Sequence, residues 1–278
     1  MSVIAIVTCR VLPEPDTDQQ PMLEACARAG VLVELVPWDD PSVDWSQYKA
    51  AILRSCWNYY EDPEAFRHWI LEAATKTQLV NPPETLLYNL DKRYLLDLQG
   101  KGIAIVPTRL IRKEQDLLSA VLESGWDRFV VKPMISAASF MTRHFNQAQV
   151  EEATKFVSTI LESRTAMIQP FIASVADGGE VSLIHLGGEL THAIVKQPRF
   201  DGGEEDVSAA FQPDATLRET AAKVLSAVDF PWVYARVDLM RGDDGTWLLS
   251  ELELLEPSLF LAHHPPALAK FAELVAGL

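Results

Sequence analysis

Three carboxylates toward the end of the chain carry the strongest chemical signal. Asp238 lies in Arg236-Val237-Asp238-Leu239, and Glu251 and Glu253 stand two apart in Glu251-Leu252-Glu253-Leu254. Residues two apart on a strand share a face, so Glu251 and Glu253 point the same way. The turn Gly242-Asp243-Asp244-Gly245 can fold the two segments into a hairpin and bring Asp238 beside them. Carboxylates crowded on one face repel unless they share a cation, and hard oxygen ligands suit Mg2+. The competing reading is the solvent face of an amphipathic strand, which Leu252 and Leu254 also fit. Glu256 follows, either supporting such a metal site or capping the next turn.

Two lysines stand apart in an acidic chain. Lys132 ends the apolar run Phe129-Val130-Val131-Lys132-Pro133 and precedes the small residues Ser136, Ala137, Ala138 and Ser139. A lysine there can hold phosphate oxygens while small residues let backbone N–H groups approach an anion. A lone lysine at a strand end is more often a solvated tip. Lys92 sits on a short helix capped by Asp91. Gln169 and Pro170 end another apolar run, Ala166–Phe171, and the proline limits strand pairing, leaving backbone exposed to a purine edge. Arg54-Ser55-Cys56-Trp57 closes an early strand and is either a substrate edge or a packed aromatic loop. The sequence has no P-loop, dinucleotide fingerprint, H-E-x-x-H or G-x-S-x-G motif. His192, His263 and His264 show no ligand spacing.

The elements that must position these groups follow from periodicity. Ser2–Cys9, Val31–Val36 and Tyr48–Arg54 read as buried strands, with a Pro-rich loop from Leu12 to Pro21 and a helix over Pro63–Thr75. Strand–helix alternation implies a parallel sheet, with ligands beyond the strand C-termini. Asn81-Pro82-Pro83 is a rigid break and marks a domain boundary. Beyond it lies a small α+β unit of strands at Val106–Ile111, Phe129–Pro133, Met141–Phe145 and Ala166–Pro170 with helices at Glu114–Glu123 and Gln147–Ser163. Hairpins follow at Val181–Lys196, turning at Gly187-Gly188, and at Tyr234–Leu255, with an acidic loop Asp201–Asp206 and a helix Leu217–Val228 between them.

Composition bounds the function. The 278 residues carry 24 basic and 39 acidic side chains, a formal net charge of −15. Such a surface repels polyphosphate, so nucleic acid is excluded as a partner. With 48% hydrophobic and 23% charged residues, the chain is ordinary globular protein. No membrane-spanning run and no signal peptide are read, and Cys9, Cys26 and Cys56 suit reduced thiols, so a cytoplasmic location is expected.

Together these motifs resemble the ATP-grasp superfamily of carboxylate–amine ligases, which includes bacterial glutathione synthetase and D-alanine–D-alanine ligase. The resemblance covers nearly the whole chain. It rests on Arg54-Ser55-x-Trp57, Asp91-Lys92-Arg93-Tyr94-Leu95, Val131-Lys132-Pro133, Gln169-Pro170-Phe171, Arg236-Val237-Asp238-Leu239 and Glu251-Leu252-Glu253-Leu254-x-Glu256-Pro257-Ser258-Leu259. It is closest to a subgroup of which the O-ureido-D-serine cyclo-ligase of cycloserine biosynthesis looks like a member. Two departures stand out: Glu253 where the family commonly has Asn, and Ala137-Ala138 where it usually has glycine.

The resemblance implies an α/β fold: a pre-ATP-grasp domain over residues 1–88, then an ATP-grasp domain over 89–278 with an α+β lid at about 107–170 and a late antiparallel sheet. It implies ATP with one or two Mg2+, and a carboxylate activated as an acyl phosphate and then taken by a nitrogen nucleophile. Lys92, Lys132, Ser136 and Ser139 would hold phosphates, and Gln169, Pro170, Phe171 and Ile172 the adenine. Asp238, Glu251 and Glu253 would hold metal, and Lys196 and Arg236 would stabilise the transferring phosphoryl group. Arg54, Trp57, Arg199 and Ser258 would face a small amino-acid-like substrate. Cyclisation, intermolecular dipeptide- or glutathione-type ligation, and a non-catalytic nucleotide-binding regulator are the three alternatives, and nothing bars a homo-oligomer.

Overall fold

The structure is a computed structural model and describes residues 3–137, 139–197 and 206–278. Three four-stranded sheets follow one another along the chain. The first contains β1 (Val3–Thr8), β2 (Val33–Pro37), β3 (Tyr48–Ser55) and β4 (Gln78–Val80), all parallel in the order β2-β1-β3-β4. The helices α1 (Gln19–Arg28) and α2 (Pro63–Ala73) make the crossovers. Ile4–Val7 and Ala50–Leu53 are buried, as strands covered on both faces must be. Asp62 caps α2 by accepting from the Ala65 N–H at 3.0 Å, with Pro63 opening the helix.

Two prolines act against expectation, for one reason. The Pro-rich loop stops at Asp18, and α1 takes Pro21 into its first turn. The Asn81-Pro82-Pro83 break is the start of α3 (Pro83–Asn89), which runs through residue 88, where the domain boundary is expected. A first-turn N–H has no helical acceptor, so proline loses nothing there. Lys92 and Arg93 precede α4 (Tyr94–Gly100) instead of riding on it, because Asp91 turns the chain by accepting from the Arg93 N–H at 2.9 Å.

The second sheet holds β5 (Arg109–Ile111), β6 (Arg128–Pro133), β7 (Arg143–Asn146) and β8 (Ala166–Pro170), antiparallel in the order β5-β8-β6-β7. The helices α5 (Glu114–Ser124) and α6 (Val150–Leu161) cover one face, packing Leu117 and Val157 over Phe129, Val131, Phe145 and Ile168. A short helix, α7 (Val175–Gly178), leads into the third sheet of β9 (Glu180–Leu186), β10 (Glu189–Lys196), β11 (Tyr234–Arg241) and β12 (Trp247–Glu253), antiparallel in the order β10-β9-β11-β12. The helices α8 (Ala215–Ser226) and α9 (Pro265–Ala276) complete the chain, and most of the acidic loop expected at Asp201–Asp206 lies outside the described residues. Ile4, Ile6 and Ile52 of the first sheet share one core with Ile184, Leu186 and Tyr234 of the third and Phe271 of α9.

The β12 strand is an edge strand, and its outward backbone groups are buried. At Leu249 the backbone of Ala104 and Val106 pairs with it, and beyond that point side chains take the place of a missing neighbour. Asn89 Nδ2 donates to the Leu252 carbonyl at 2.8 Å, while its Oδ1 accepts from the Leu254 and Leu255 N–H groups. Tyr94 Oη accepts from the Leu252 N–H at 3.1 Å. Asn81 Nδ2 donates to the carbonyls of Leu254 and Tyr234. Each such group left unpaired costs about 1–3 kcal/mol. Asn89→Ala should therefore lower unfolding stability by about 3 kcal/mol, against about 1 kcal/mol for removing the exposed helix cap in Asp62→Ala. Urea unfolding checks this, and equal midpoints for the two variants would contradict it.

Candidate functional site

The final hairpin does bring its carboxylates together. Asp238 pairs directly with Glu251, and Arg236 with Glu253. One oxygen from each of Asp238, Glu251 and Glu253 lies within 4.8 Å of the others. A regular ladder counted back from the Arg241–Trp247 pair would set Asp238 opposite Ser250 and turn it to the other face. A bulge between Asp238 and Leu239 inserts Ser250 as the extra residue and restores the shared face. Ser250 Oγ donates to the Asp238 carbonyl at 2.9 Å.

Cations from three elements converge on this face. Lys196 Nζ reaches Asp238 at 2.7 Å and Glu180 at 2.8 Å. Arg236 donates to Asp238 at 2.8 Å and to Glu253, and also to the Ser258 carbonyl at 3.1 Å. Lys92 donates to Glu251 and to the Ser136 carbonyl. Lys132 lies above them with no hydrogen bond or ion pair among the described residues. Burial alone would raise the Asp238 carboxyl, but Arg236 and Lys196 hold it well below the usual range. Burial of Glu251 is likewise outweighed by Lys92 and Lys132, bringing it to about 2. Glu253 goes the other way: burial, aided by Glu251 and Asp238 and only partly opposed by Arg236, pushes it up to about 7. Burial also pushes the Glu256 carboxyl up and the Lys132 ammonium down. The donors are carboxylate oxygens at convergent positions, which fits a hard divalent cation such as Mg2+.

Two cavities open over this face. The first, about 270 Å³, is walled by Glu180, Glu251, Glu253 and Glu256, the four cations, Trp57, Ser136 and Ser258, with Asp238 buried behind them. The second, about 460 Å³, is a less charged slot between Val106, Val130, Gln169–Ile172 and Met240. Lys132, Ser139, Thr142, Val175 and Met240 line both, so the two are one cleft. Ser139 holds φ +57 in the loop over the junction.

Most of the sequence-derived candidates therefore meet here, and the structure changes the roles of several. Arg54 is fully buried and does not line either cavity. It pairs with Asp18 at 3.3 Å and donates to the Pro257 carbonyl, bracing the 257–258 segment from behind. The expectation of a substrate contact fails because the loop after β12 covers this end of β3. Trp57 does line the cavity, and its Nε1 donates to the Glu256 carbonyl at 3.1 Å. The β8 strand is not weakly paired: Gln169 and Pro170 are in register with Val130 and Phe129, and the Phe171 N–H is donated to the Arg128 carbonyl at 3.0 Å. Pro170 keeps its place because its missing N–H falls where none is needed. The Phe171 ring lies under the Arg128 guanidinium at 3.6 Å. His192 and His264, without ligand spacing in sequence, stack at 4.9 Å away from the cleft. Arg199 and Ala138 lie outside the described residues.

Glu180 went unnoticed in the sequence, yet it completes the Lys196 site and accepts from Ser250 Oγ. Its signal is the Gly187-Gly188 turn, which sets the pairing of β9 with β10. A bulge at Thr191 then shifts the register by one and puts Lys196 opposite Glu180.

The raised Glu253 carboxyl has a consequence with a definite sign. A group whose folded pKa lies above its ordinary 4.5 binds its proton more tightly when folded, so its contribution is present below pH 4.5 and lost as pH rises through about 7. Metal-free protein should lose thermal stability across that window, and Glu253→Gln should lose less. Mg2+ binding should release close to one proton at pH 6 and almost none at pH 8.5, read by calorimetry in buffers of different ionisation enthalpy.

Residues 4–81 match the family described as the N-terminal domain of D-cycloserine synthetase DcsG. The chain is 34% identical to the cycloserine biosynthesis protein DcsG of Streptomyces lavendulae, over 99% of this chain and 98% of that one. The crystal structure of D-cycloserine synthetase DcsG superposes with a TM-score of 0.90 at 32% identity, covering 99% of each chain. The ATP-grasp ligase PsnB, solved with a phosphomimetic precursor variant, Mg and ADP, shares the fold at a TM-score of 0.68 and 15% identity, covering 99% of this chain and 97% of PsnB. Full-length likeness to DcsG, on a fold whose late hairpin gathers three carboxylates and their cations, places this chain in the D-cycloserine synthetase family of ATP-grasp ligases.

Proposed function

We propose that this ATP-dependent C–N ligase closes a ring within a small amino-acid-like substrate of the O-ureido-D-serine type, with one or two Mg2+ bound by Asp238, Glu251 and Glu253. The observation that carries the reading is the convergence of those three carboxylates, ringed by Lys92, Lys196 and Arg236, beneath a cleft entered by Lys132. The full-length relative is named for cycloserine biosynthesis, and the motif resemblance to the O-ureido-D-serine cyclo-ligase subgroup suggests the substrate type. On this reading residues 1–88 form the pre-ATP-grasp domain and 89–278 the ATP-grasp domain, with its lid at about 107–170. The three cysteines are unpaired and buried, which suits the cytoplasm. Among the described residues no helix is long and apolar enough to cross a membrane.

The less charged slot takes the adenine, against Gln169, Pro170, Phe171 and Ile172, and the phosphates pass Lys132 and Ser139 into the charged cavity, where Ser136 and Lys92 lie. Asp238, Glu251 and Glu253 would hold Mg2+, which would supply charge neutralisation to the phosphates. A substrate carboxylate oxygen attacks the γ-phosphorus, the bond to the bridging oxygen breaks, and ADP leaves an acyl phosphate. A nitrogen of the same molecule then attacks the acyl carbon, phosphate departs, and the nitrogen loses its proton. Arg236 and Lys196 stabilise charge on the phosphoryl group as it moves. Trp57 and Ser258 wall the substrate end, and Arg199 is retained as a substrate contact.

The deciding experiment is ADP release from ATP with O-ureido-D-serine and no added amine, with the product identified by mass spectrometry. A need for a second amine substrate would mean intermolecular ligation instead. Lys132→Ala should raise the ATP dissociation constant about 10- to 50-fold, because this ammonium has no partner among the described residues and is left to the phosphates. Arg236→Ala should leave ATP affinity within a few-fold and lower kcat by about 100-fold or more, since its charge matters most as the phosphoryl group transfers. The opposite ordering would exchange the two roles.

A further inference from the structure

The ion pairs of the cleft leave one acidic side chain over. Lys92 is committed to Glu251, Lys196 to Asp238 and Glu180, and Arg236 to Asp238 and Glu253. Glu256 is only 7% exposed, lines the charged cavity, and has no hydrogen bond or ion pair to its carboxylate among the described residues. Its backbone carbonyl alone is used, by Trp57 Nε1. It is not among the carboxylates whose oxygens converge within 4.8 Å, so the metal does not account for it. Burial holds this carboxyl toward its neutral form, and a ligand ammonium beside it would favour the carboxylate and complete it.

Position narrows what that donor is. Glu256 belongs to the wall with Trp57 and Tyr59, and none of the three lines the slot beside β8. Lys132, the cation without a partner, sits where slot and cavity join. Among the described residues the cleft thus offers an unpaired lysine on its nucleotide side and an unpaired carboxyl on its far side. A zwitterion with a carboxylate at one end and an ammonium at the other matches that polarity.

We propose that Glu256 is the recognition site for the substrate's ammonium group, selecting α-amino acids over the corresponding hydroxy acids and turning the carboxylate toward the phosphates. This rests on the ligase reading above. D-Serine and D-glycerate, which differ only in ammonium against hydroxyl at the α-carbon, are suitable probes, titrated calorimetrically into the protein with Mg2+ and a non-hydrolysable ATP analogue. Wild-type protein should prefer D-serine by about 30-fold, the range of a charge-assisted hydrogen bond. Glu256→Gln, which keeps the shape, should cut the preference to below about 3-fold by losing D-serine affinity, with the Mg2+ requirement for nucleotide binding unchanged. An undiminished preference in Glu256→Gln, or a rise in Mg2+ requirement with discrimination intact, would overturn the assignment. So would wild-type protein that binds both acids alike, a result needing no variant. Intact discrimination without any ADP release would refute the ligase reading and leave this one standing; ADP release without discrimination would do the reverse.

Discussion

Crowding of like charge on one face of the β11–β12 hairpin is the constraint around which the molecule is organised. Asp238, Glu251 and Glu253 cannot share 4.8 Å of space as bare anions in a buried site. Each is matched by a cation from elsewhere: Lys92 from the turn before α4, Lys196 from the end of β10, Arg236 from β11 itself. The face is therefore tolerable only when those elements are docked. A chain of net charge −15 nonetheless gathers Lys92, Lys132, Lys196 and Arg236 around this one cavity.

Beyond its backbone bridge from Leu249 to the 104–106 segment, the same strand is held from outside by polar side chains. Asn81, Asn89, Tyr94 and Tyr234 hydrogen-bond to backbone groups of residues 252–255, and all four are buried. Two of them come from the segment that joins the first sheet to the rest. Arg54, salt-bridged to Asp18, braces the following segment through the Pro257 carbonyl. The N-terminal sheet therefore serves the site by fixing the position of β12 and the loop after it, as well as by offering Trp57 and Tyr59 as wall. Contacts also run to the second sheet, where Tyr59 Oη donates to the Ser136 carbonyl and Tyr60 stacks on Phe140 at 4.3 Å.

Much of this was legible in the residues. The spacing of Glu251 and Glu253 requires a shared face on any strand, because the side-chain period is two. The apolar β-branched runs with intervening helices required a parallel sheet, and Gly187-Gly188, both at positive φ, required a tight hairpin turn. Lys132 and Gln169 could be picked out because a charged or polar residue at the end of an apolar strand is unusual enough to ask for a reason, whereas Arg236 was indicated only by the family resemblance. Arg54 misled for the same reason: its type suits a substrate carboxylate, but which carbonyl or carboxylate meets it depends on a segment 203 residues away.

Residue types and their alternation were determined by the sequence alone, and so was the presence of a carboxylate-bearing hairpin. Which side chains face one another was decided by tertiary structure through two single-residue bulges. Ser250 in β12 turns Asp238 to the side of Glu251, and Thr191 in β10 turns Lys196 toward Glu180. Neither residue is marked in sequence, since serine and threonine are ordinary in strands. A bulge is selected by what lies across the ladder: the Ser250 hydroxyl finds the Asp238 carbonyl and Glu180, and the Thr191 hydroxyl finds the Ile184 carbonyl at 3.0 Å. Those partners are distant in the chain or across a turn, so the one-residue shift that assembles the site exists only once the strands have paired.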